Sequence, residues 1–162
     1  MIELRRRSIL LGTTMSFAAV LFATNTAFSE EIQLKFDPAG RFKIVQFTDL
    51  HLHEGGDKDQ QTLALIGEIL DIEKPQLAVL TGDTIAGAAR RQETVTLCAG
   101  PMAERKIPWA VVLGNHDDEW PKDVDKPEDR RGLMEMFVRQ AYSVSQMGPQ
   151  EIFGASNYYL PV

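Results

Sequence analysis

Apolar residues along the chain follow a strand–loop–helix pattern that repeats from about residue 41. Residues 42–48 (FKIVQFT) are rich in β-branched and aromatic side chains and predict a first strand. Two short apolar stretches, residues 77–81 (LAVLT) and 109–113 (WAVVL), predict strands that are buried on both faces of a parallel sheet. Single strands that alternate with helices are typical of βαβ units, so the pattern predicts an α/β fold.

The first predicted helix begins near Asp57, whose side chain is expected to cap it while Gln60 reaches back. Pro75 disfavours helical backbone in the residue before it, so the helix is expected to end before this proline. The helix carries one apolar face, which is formed by Leu63, Ile66, Ile69 and Leu70.

The rest of the chain predicts two more helices and one more strand. A weaker second helix is expected over residues 90–105, between the second and third strands. Residues 117–129 are acidic and contain two prolines, which is typical of a long surface loop. A third helix is expected over residues 130–142, and residues 157–162 (NYYLPV) resemble the start of another strand.

Residues 1–29 differ in composition from the remainder and predict a secretory signal peptide. Residues 5–7 are arginines, residues 9–22 are mostly apolar, and residues 27–29 place small side chains at the expected cleavage positions. Residues 6–10 (RRSIL) also fit a twin-arginine signal, and ordinary export remains the equal alternative. We therefore expect an exported bacterial protein, periplasmic or extracellular, with an uncleaved N-terminal anchor as the lesser alternative.

Composition narrows the class of protein. A length of 162 residues is sufficient for one domain with a core of its own. The net charge of −6 argues against nucleic-acid binding, which requires Lys and Arg to neutralise phosphates. The single cysteine, Cys98, excludes an intramolecular disulfide. The apolar stretch near the N-terminus is too short and too rich in hydroxyl groups for a stable membrane span.

Polar residues cluster where each of the three predicted strands ends. Asp49 and His51 follow the first strand, Asp83 follows the second, and Asn115 and His116 follow the third. Because the carboxyl ends of parallel strands converge on one crevice, these side chains are expected to become neighbours. Closely packed carboxylates repel one another unless cations keep them ionised. The oxygen and nitrogen ligand set suits Zn, Mn or Fe, so the sequence predicts a metal site.

These motifs resemble the first three motifs of the calcineurin-like metallophosphoesterases, and their context is closest to the branch related to purple acid phosphatases. The resemblance covers roughly residues 40–162 and rests on Asp49-x-His51, Gly82-Asp83 and Gly114-Asn115-His116-Asp117. It implies a four-layer α/β/β/α sandwich. Residues 30–162 would be the N-terminal part of that domain, containing only its first βαβαβ half and truncated at the C-terminus.

The resemblance also implies a role for each residue. Asp49 and His51 would bind a first metal ion, Asp83 would bridge two ions, and Asn115 would bind the second. His116 would be catalytic, donating a hydrogen bond to the phosphate or a proton to the leaving group. The implied reaction is hydrolysis of a small-molecule phosphate mono- or diester by a hydroxide bound to two divalent or trivalent ions (Mn, Zn or Fe).

Two features of the sequence depart from the family pattern. Ala86 stands where purple acid phosphatases carry a tyrosine, so no iron–tyrosinate bond is expected. The family also takes ligands from a later His and a Gly-His-x-His segment, whereas none of the three histidines here follows His116. A truncated or non-catalytic metal-binding chain therefore remains the alternative, as does a partner chain that supplies the other ligands. His53 is interpreted as an exposed loop residue.

An isolated half-sandwich would expose apolar sheet surface. We therefore expect residues 30–162 alone to be poorly soluble or only partly folded. The sequence does not predict an oligomeric state.

Overall fold

Strands and helices alternate along the described part of the chain. The computed structural model describes residues 32–119 and 129–162. The elements within these ranges are β1 (Ile44–Phe47), α1 (Asp57–Glu73), β2 (Leu77–Thr81), α2 (Arg91–Glu104), β3 (Trp109–Val112) and α3 (Arg130–Val138). The signal peptide predicted over residues 1–29 lies outside the described residues, as does most of the predicted acidic loop.

The three strands form one parallel sheet in the order β1-β2-β3. The predicted α/β fold with a parallel sheet is confirmed. Phe47 pairs with Leu80, and Leu80 pairs with Val111. Because paired residues in a sheet point to the same face, these three side chains share one face, and that face packs into the core. The parallel order places the carboxyl ends of all three strands at one edge of the sheet.

Trp109, the first residue of β3, is fully buried in the core. Its Nε1 donates to the carbonyl of Ala141 at 3.0 Å, which satisfies the polar atom of the ring. Its ring meets that of Phe137 edge to face, with centroids 6.2 Å apart. Phe137 belongs to α3, so this contact fixes the third helix on the same core as the sheet. The core draws on every helix, including Ile66, Leu70, Val95, Met102, Leu133 and Met134.

The opposite face of the sheet leaves apolar side chains open to solvent. Ile44 in β1 is 54% exposed and Val112 in β3 is 42% exposed. The register places both on the same face, because Ile44 pairs with Leu77 and Thr81 pairs with Val112. This exposed face is the physical basis for the predicted poor solubility, which stays a prediction.

The predicted cap of α1 is wrong, although the bounds of this helix are confirmed. Gly56, not Asp57, is the N-cap residue. The carboxylate that organises this end belongs to Asp59, whose Oδ2 accepts the N–H groups of His53, Glu54 and Gly55 at 2.7–3.0 Å. Gln60 does reach back, donating from Nε2 to the Gly55 carbonyl at 3.3 Å. Three residues of the preceding loop are thereby tied to the helix.

The predictions for the last part of the chain need two corrections. The third helix ends at Val138 rather than near residue 142. Residues 157–162 form no strand. The cause is that residues 142–144 already bind the outer edge of β3: Trp109 N–H donates to Tyr142 at 3.0 Å, and Val144 N–H donates to Trp109 at 2.8 Å. Tyr158 contacts β3 through its side chain, since its hydroxyl donates to the Val111 carbonyl at 2.7 Å.

Within the described ranges, none of the helices is long and apolar enough to cross a lipid bilayer.

Candidate metal centre

The loops that follow β1 and β2 run side by side beyond the ends of their strands. Asp49 N–H donates to the Gly82 carbonyl at 3.1 Å, and His51 N–H donates to the Asp83 carbonyl at 2.9 Å. Leu52 forms an isolated parallel bridge with Ile85 a little further on. Main-chain hydrogen bonds thus hold the first two polar clusters together.

Three residues of these loops have left-handed backbone. The φ angles are +57° at Asp49, +47° at His51 and +50° at Asp83. Positive φ is uncommon outside glycine, although Asp and His adopt it more often than most residues. Such conformations concentrate at functional sites, where the surrounding structure holds them. Within these two loops, the non-glycine residues with left-handed backbone are the same three that the strand-end pattern predicted as metal ligands.

Gly82 and Gly114 lie where the loops after β2 and β3 are in close contact. A Cβ atom at Gly82 would lie 2.9 Å from the Cα of Gly114. A Cβ atom at Gly114 would overlap the amide nitrogen and Oδ1 of Asp83. Gly82 also has a φ of +103°, which side chains rarely allow. Both positions need glycine, and at Gly114 the reason is contact between the loops rather than the turn itself.

Asp49, His51 and Asp83 each offer a ligand atom, and these atoms all lie within 4.8 Å of one another. The His51 Nε2 is 3.9 Å from the Asp49 Oδ1. Thr48 donates from its hydroxyl to the Asp49 Oδ2 at 2.7 Å, which orients that carboxylate. Asp49 and His51 are exposed and Asp83 is half-buried. Two carboxylates and one imidazole at this spacing fit a Zn, Mn or Fe ion.

Asn115 and His116 follow the end of β3, and His116 contacts both Asp83 and His51. The His116 N–H donates to the Asp83 Oδ1 at 2.9 Å, and the imidazoles of His51 and His116 have centroids 5.2 Å apart. Asn115, directly before His116, is exposed. All five predicted residues therefore belong to one edge of the sheet, with Asp83 as the residue that links the loops.

Glu119 completes the surroundings of His116. Its Oε1 lies 2.7 Å from the His116 Nδ1. The hydrogen bond to Glu119 raises the pKa of His116 above its ordinary value, and the charges of Glu119, Asp83 and Asp117 act in the same direction against partial desolvation. With Nδ1 paired to a carboxylate, Nε2 is the nitrogen that can exchange a proton with a ligand.

A comparison with known protein families agrees with this geometry. The model of the calcineurin-like phosphoesterase family matches residues 42–158, most of the described chain. The chain belongs to the calcineurin-like phosphoesterase family. The resemblance inferred from the three motifs is thereby confirmed, and the three-stranded parallel sheet is consistent with part of that fold.

The relatives of this chain include both a named phosphatase and proteins named as inactive. Phosphatase DCR2 of Saccharomyces cerevisiae is 41% identical over 74% of this chain and 23% of its own length. Probable inactive purple acid phosphatase 29 of Arabidopsis thaliana is 29% identical over 98% of this chain and 45% of its own length. Probable inactive purple acid phosphatase 28 of the same plant is 32% identical over 75% of this chain and 33% of its own. The chain spans less than half the length of these relatives.

The structural part that Asp117 plays in this chain was not predicted from the sequence. The expectation that residues 117–129 begin a solvated surface loop is wrong at Asp117, which is fully buried. Its carboxylate accepts main-chain N–H groups from both the β2 and the β3 loops. The available signal was its place as the last residue of the Gly114–Asp117 motif, which separates Asp117 from the acidic residues that follow.

The contacts of two arginines with the turn after β3 were also not predicted from the sequence. Arg91, at the start of α2, is buried and donates to the carbonyl oxygens of Asp117, at 2.8 Å, and Glu119. Arg130, at the start of α3, donates to the Gly114 carbonyl and to the Asp118 carboxylate, both at 2.9 Å. An arginine that donates to main-chain carbonyl oxygens cannot be recognised from its sequence neighbours. Together they attach the turn after β3 to two helices.

His53 is exposed, as expected, and it does not belong to the group of close ligand atoms found among the described residues. Its carbonyl accepts a hydrogen bond from the Thr94 hydroxyl at 3.4 Å.

Proposed function

We propose that this chain provides the first half of a dinuclear metal site that hydrolyses phosphate mono- or diesters. The observation that supports the proposal most directly is the convergence of Asp49, His51 and Asp83, whose ligand atoms lie within 4.8 Å of one another. Membership of the calcineurin-like phosphoesterase family supports the reaction class. The activity of the whole protein and its substrate are part of the proposal.

Asp49, His51 and Asp83 would hold the first ion, and Asp83 with Asn115 would contribute to the second. Asp83 is suited to a bridging role because it lies between the β1 and β3 loops and contacts both. Its Oδ1 is already oriented by the His116 N–H at 2.9 Å. When bound, such ions polarise phosphoryl oxygens and make a water molecule nucleophilic near neutral pH. Mn, Zn and Fe are all compatible with this donor set.

His116 would act on the substrate rather than on a metal ion. Its ring lies beside that of His51, with centroids 5.2 Å apart, and its Nδ1 is paired with Glu119 at 2.7 Å. The remaining nitrogen can donate a hydrogen bond to a phosphate oxygen or a proton to the departing alkoxide. The pairing with Glu119 restricts rotation of the ring, which keeps that nitrogen in one direction.

The second candidate function is metal binding without catalysis. It is favoured by the relatives named as probable inactive purple acid phosphatases. Under this alternative the three converging side chains still bind one ion, and turnover is absent because the second ion is poorly held.

Export remains a further proposal, supported by the arginines and apolar residues of segment 1–29. Fractionation of bacterial cells that express either the unaltered chain or a variant with Arg6→Lys and Arg7→Lys tests this proposal. Retention of the lysine form in the cytoplasm supports twin-arginine export, and export of both forms supports the ordinary route.

Calorimetric titration of the full chain with Mn²⁺ or Zn²⁺ tests the metal site. The Asp83→Asn variant should bind more weakly by at least the roughly 10- to 100-fold that loss of an outer-shell partner costs. Asp37→Asn is the matched control, because Asp37 accepts hydrogen bonds in the turn before β1. Unchanged affinity in Asp83→Asn would exclude it as a ligand.

Hydrolysis of aryl phosphate mono- and diesters with the same ions separates the two candidate functions. Turnover that is lost in His116→Ala supports the phosphoesterase. Tight metal binding without turnover supports the non-catalytic alternative, and the coding sequence beyond Val162 then shows whether a later His and a Gly-His-x-His segment complete the site.

A further inference from the structure

The buried carboxylate of Asp117 is saturated with main-chain donors. Its Oδ1 accepts the N–H groups of Thr84 at 2.8 Å and Ile85 at 3.0 Å. Its Oδ2 accepts the N–H groups of Asp83 at 2.8 Å and Gly114 at 2.6 Å. Three consecutive residues of the β2 loop and one residue of the β3 loop therefore meet on a single side chain.

Burial of a carboxylate is costly unless hydrogen bonds replace its hydration. Hydrogen bonds to a charged acceptor are about twice as strong as those between neutral groups, so four of them offset much of that cost. These hydrogen bonds also fix the orientation of the donor groups around the carboxylate. The carboxylate is planar with two acceptor oxygens, so the donors must approach it from defined directions.

Asp117 and Asp83 are linked in both directions. The Asp117 carboxylate accepts the Asp83 N–H, and the Asp83 carboxylate accepts the N–H of His116, the residue before Asp117. The first bond acts on the backbone of Asp83, which has the left-handed φ of +50°. The second acts on its carboxylate. Both the main chain and the side chain of Asp83 are thus fixed by the turn after β3.

We propose that Asp117 is a positioning residue that holds Asp83 in its metal-binding conformation without itself contacting the ion. The inference rests on the proposed metal site. The four contacts of the Asp117 carboxylate given above are all with backbone amides, and the residue is fully buried, so its carboxylate serves the loops rather than a ligand. Loss of this carboxylate leaves Asp83 in place along the chain and releases its backbone.

Asp117→Asn is the sharpest substitution, because it preserves shape while it replaces one acceptor oxygen by an NH₂ group. That group would face two main-chain N–H donors and could accept from neither. Asp117→Glu retains both acceptor oxygens on a longer side chain and should recover part of the lost function. Asp37→Asn again serves as the control, because it alters a carboxylate that accepts N–H groups in the turn before β1.

The first measurement needs no metal. Hydrogen exchange of the full chain should show slow exchange at the four amides of Asp83, Thr84, Ile85 and Gly114. Exchange at these amides as fast as at unprotected loop amides would overturn the proposal, whatever happens to metal binding. In Asp117→Asn these amides should lose protection while the near-UV circular dichroism of the core tryptophan is retained.

The second measurement is Mn²⁺ or Zn²⁺ affinity by calorimetry. Asp117→Asn should bind roughly 10- to 100-fold more weakly, as expected for an outer-shell partner, with partial recovery in Asp117→Glu and no change in Asp37→Asn. Wild-type affinity in a folded Asp117→Asn variant would overturn the positioning role. Failure of the unaltered chain to bind either ion, with the four amides protected, would instead count against the proposed function and leave Asp117 as a structural link only.

Discussion

The Nδ1 atom of His116 lies 2.7 Å from the Oε1 atom of Glu119, three residues further along the same turn. The hydrogen bond to Glu119 raises the pKa of His116, so the imidazolium persists to higher pH in the folded chain than in the unfolded one. The stabilisation from this pair is complete below the unfolded-state pKa and is lost as the pH rises through the folded-state pKa.

Glu119→Gln should therefore lower the pKa of His116, because it removes the charged partner. Titration of the imidazole resonances by NMR in the metal-free chain measures this directly. Glu135→Gln is the control, since Glu135 pairs with Arg139 on α3 and leaves His116 untouched. An unchanged His116 titration in Glu119→Gln would show that the pair does not persist in solution.

Gly114→Ala should disrupt the metal site, because the added Cβ atom would overlap the amide nitrogen and Oδ1 of Asp83. The expected destabilisation is about 1–3 kcal/mol in urea unfolding, as for other overpacked positions. Metal affinity measured by calorimetry should fall as well.

Gly100→Ala is the matched control for this substitution, since a Cβ atom there meets nothing within 4 Å in α2. Alanine at that helical position should be neutral or stabilise the chain by roughly 0.5–1 kcal/mol. Equal stability losses in the two variants would indicate a general sensitivity to alanine rather than contact between the loops.

Cys98 should be unreactive in the folded chain. Burial raises the pKa of its thiol from 9.0 to about 12, and the negative charge of Asp117 acts in the same direction. Since only the thiolate is nucleophilic, iodoacetamide should modify Cys98 in urea and hardly at all under native conditions. Because the folded-state pKa is raised, Cys98 should also reduce the stability of the fold as the pH rises above about 9, where the unfolded-state thiol ionises.

The control for thiol reactivity is Thr96→Cys in a Cys98→Ala background, because Thr96 is exposed on the same helix. That thiol should react rapidly with the folded chain. Rapid native labelling of Cys98 itself would contradict its burial.

Val112→Thr and Ile44→Thr should reduce self-association, because these residues leave the outer face of the sheet apolar and exposed. Sedimentation velocity of the full chain at several concentrations measures the effect. Ile72→Thr is the control, since Ile72 is even more exposed but lies on α1. An equal reduction in all three variants would assign the effect to hydrophobicity alone.

Much of the fold and the candidate ligand set followed from local sequence patterns. The three strands were found because short apolar stretches between turn residues have few other solutions, and β2 matches its predicted bounds of residues 77–81. Asp49, His51 and Asp83 could be named because each follows a strand, and parallel strands end at a common edge. The first helix was also predictable, since Pro75 and the apolar face limit its length.

Contacts between distant parts of the chain decided the remainder. The burial of Asp117 depends on amides 32–34 residues away, so its place in the motif could not show which donors its carboxylate meets. Asp59 rather than Asp57 organises the start of α1 because the preceding loop folds back onto it. Residues 157–162 form no strand because residues 142–144 bind the edge of β3 first.

The sequence by itself therefore determined which side chains are candidate metal ligands, since residue type and strand ends are local properties. Only the tertiary structure decided how Asp83 is held, because its left-handed backbone is fixed by the hydrogen bond that its N–H donates to Asp117 in the turn after β3. Hydrogen bonds between residues far apart in the sequence depend on the tertiary arrangement of the whole chain, so a local sequence pattern cannot predict them.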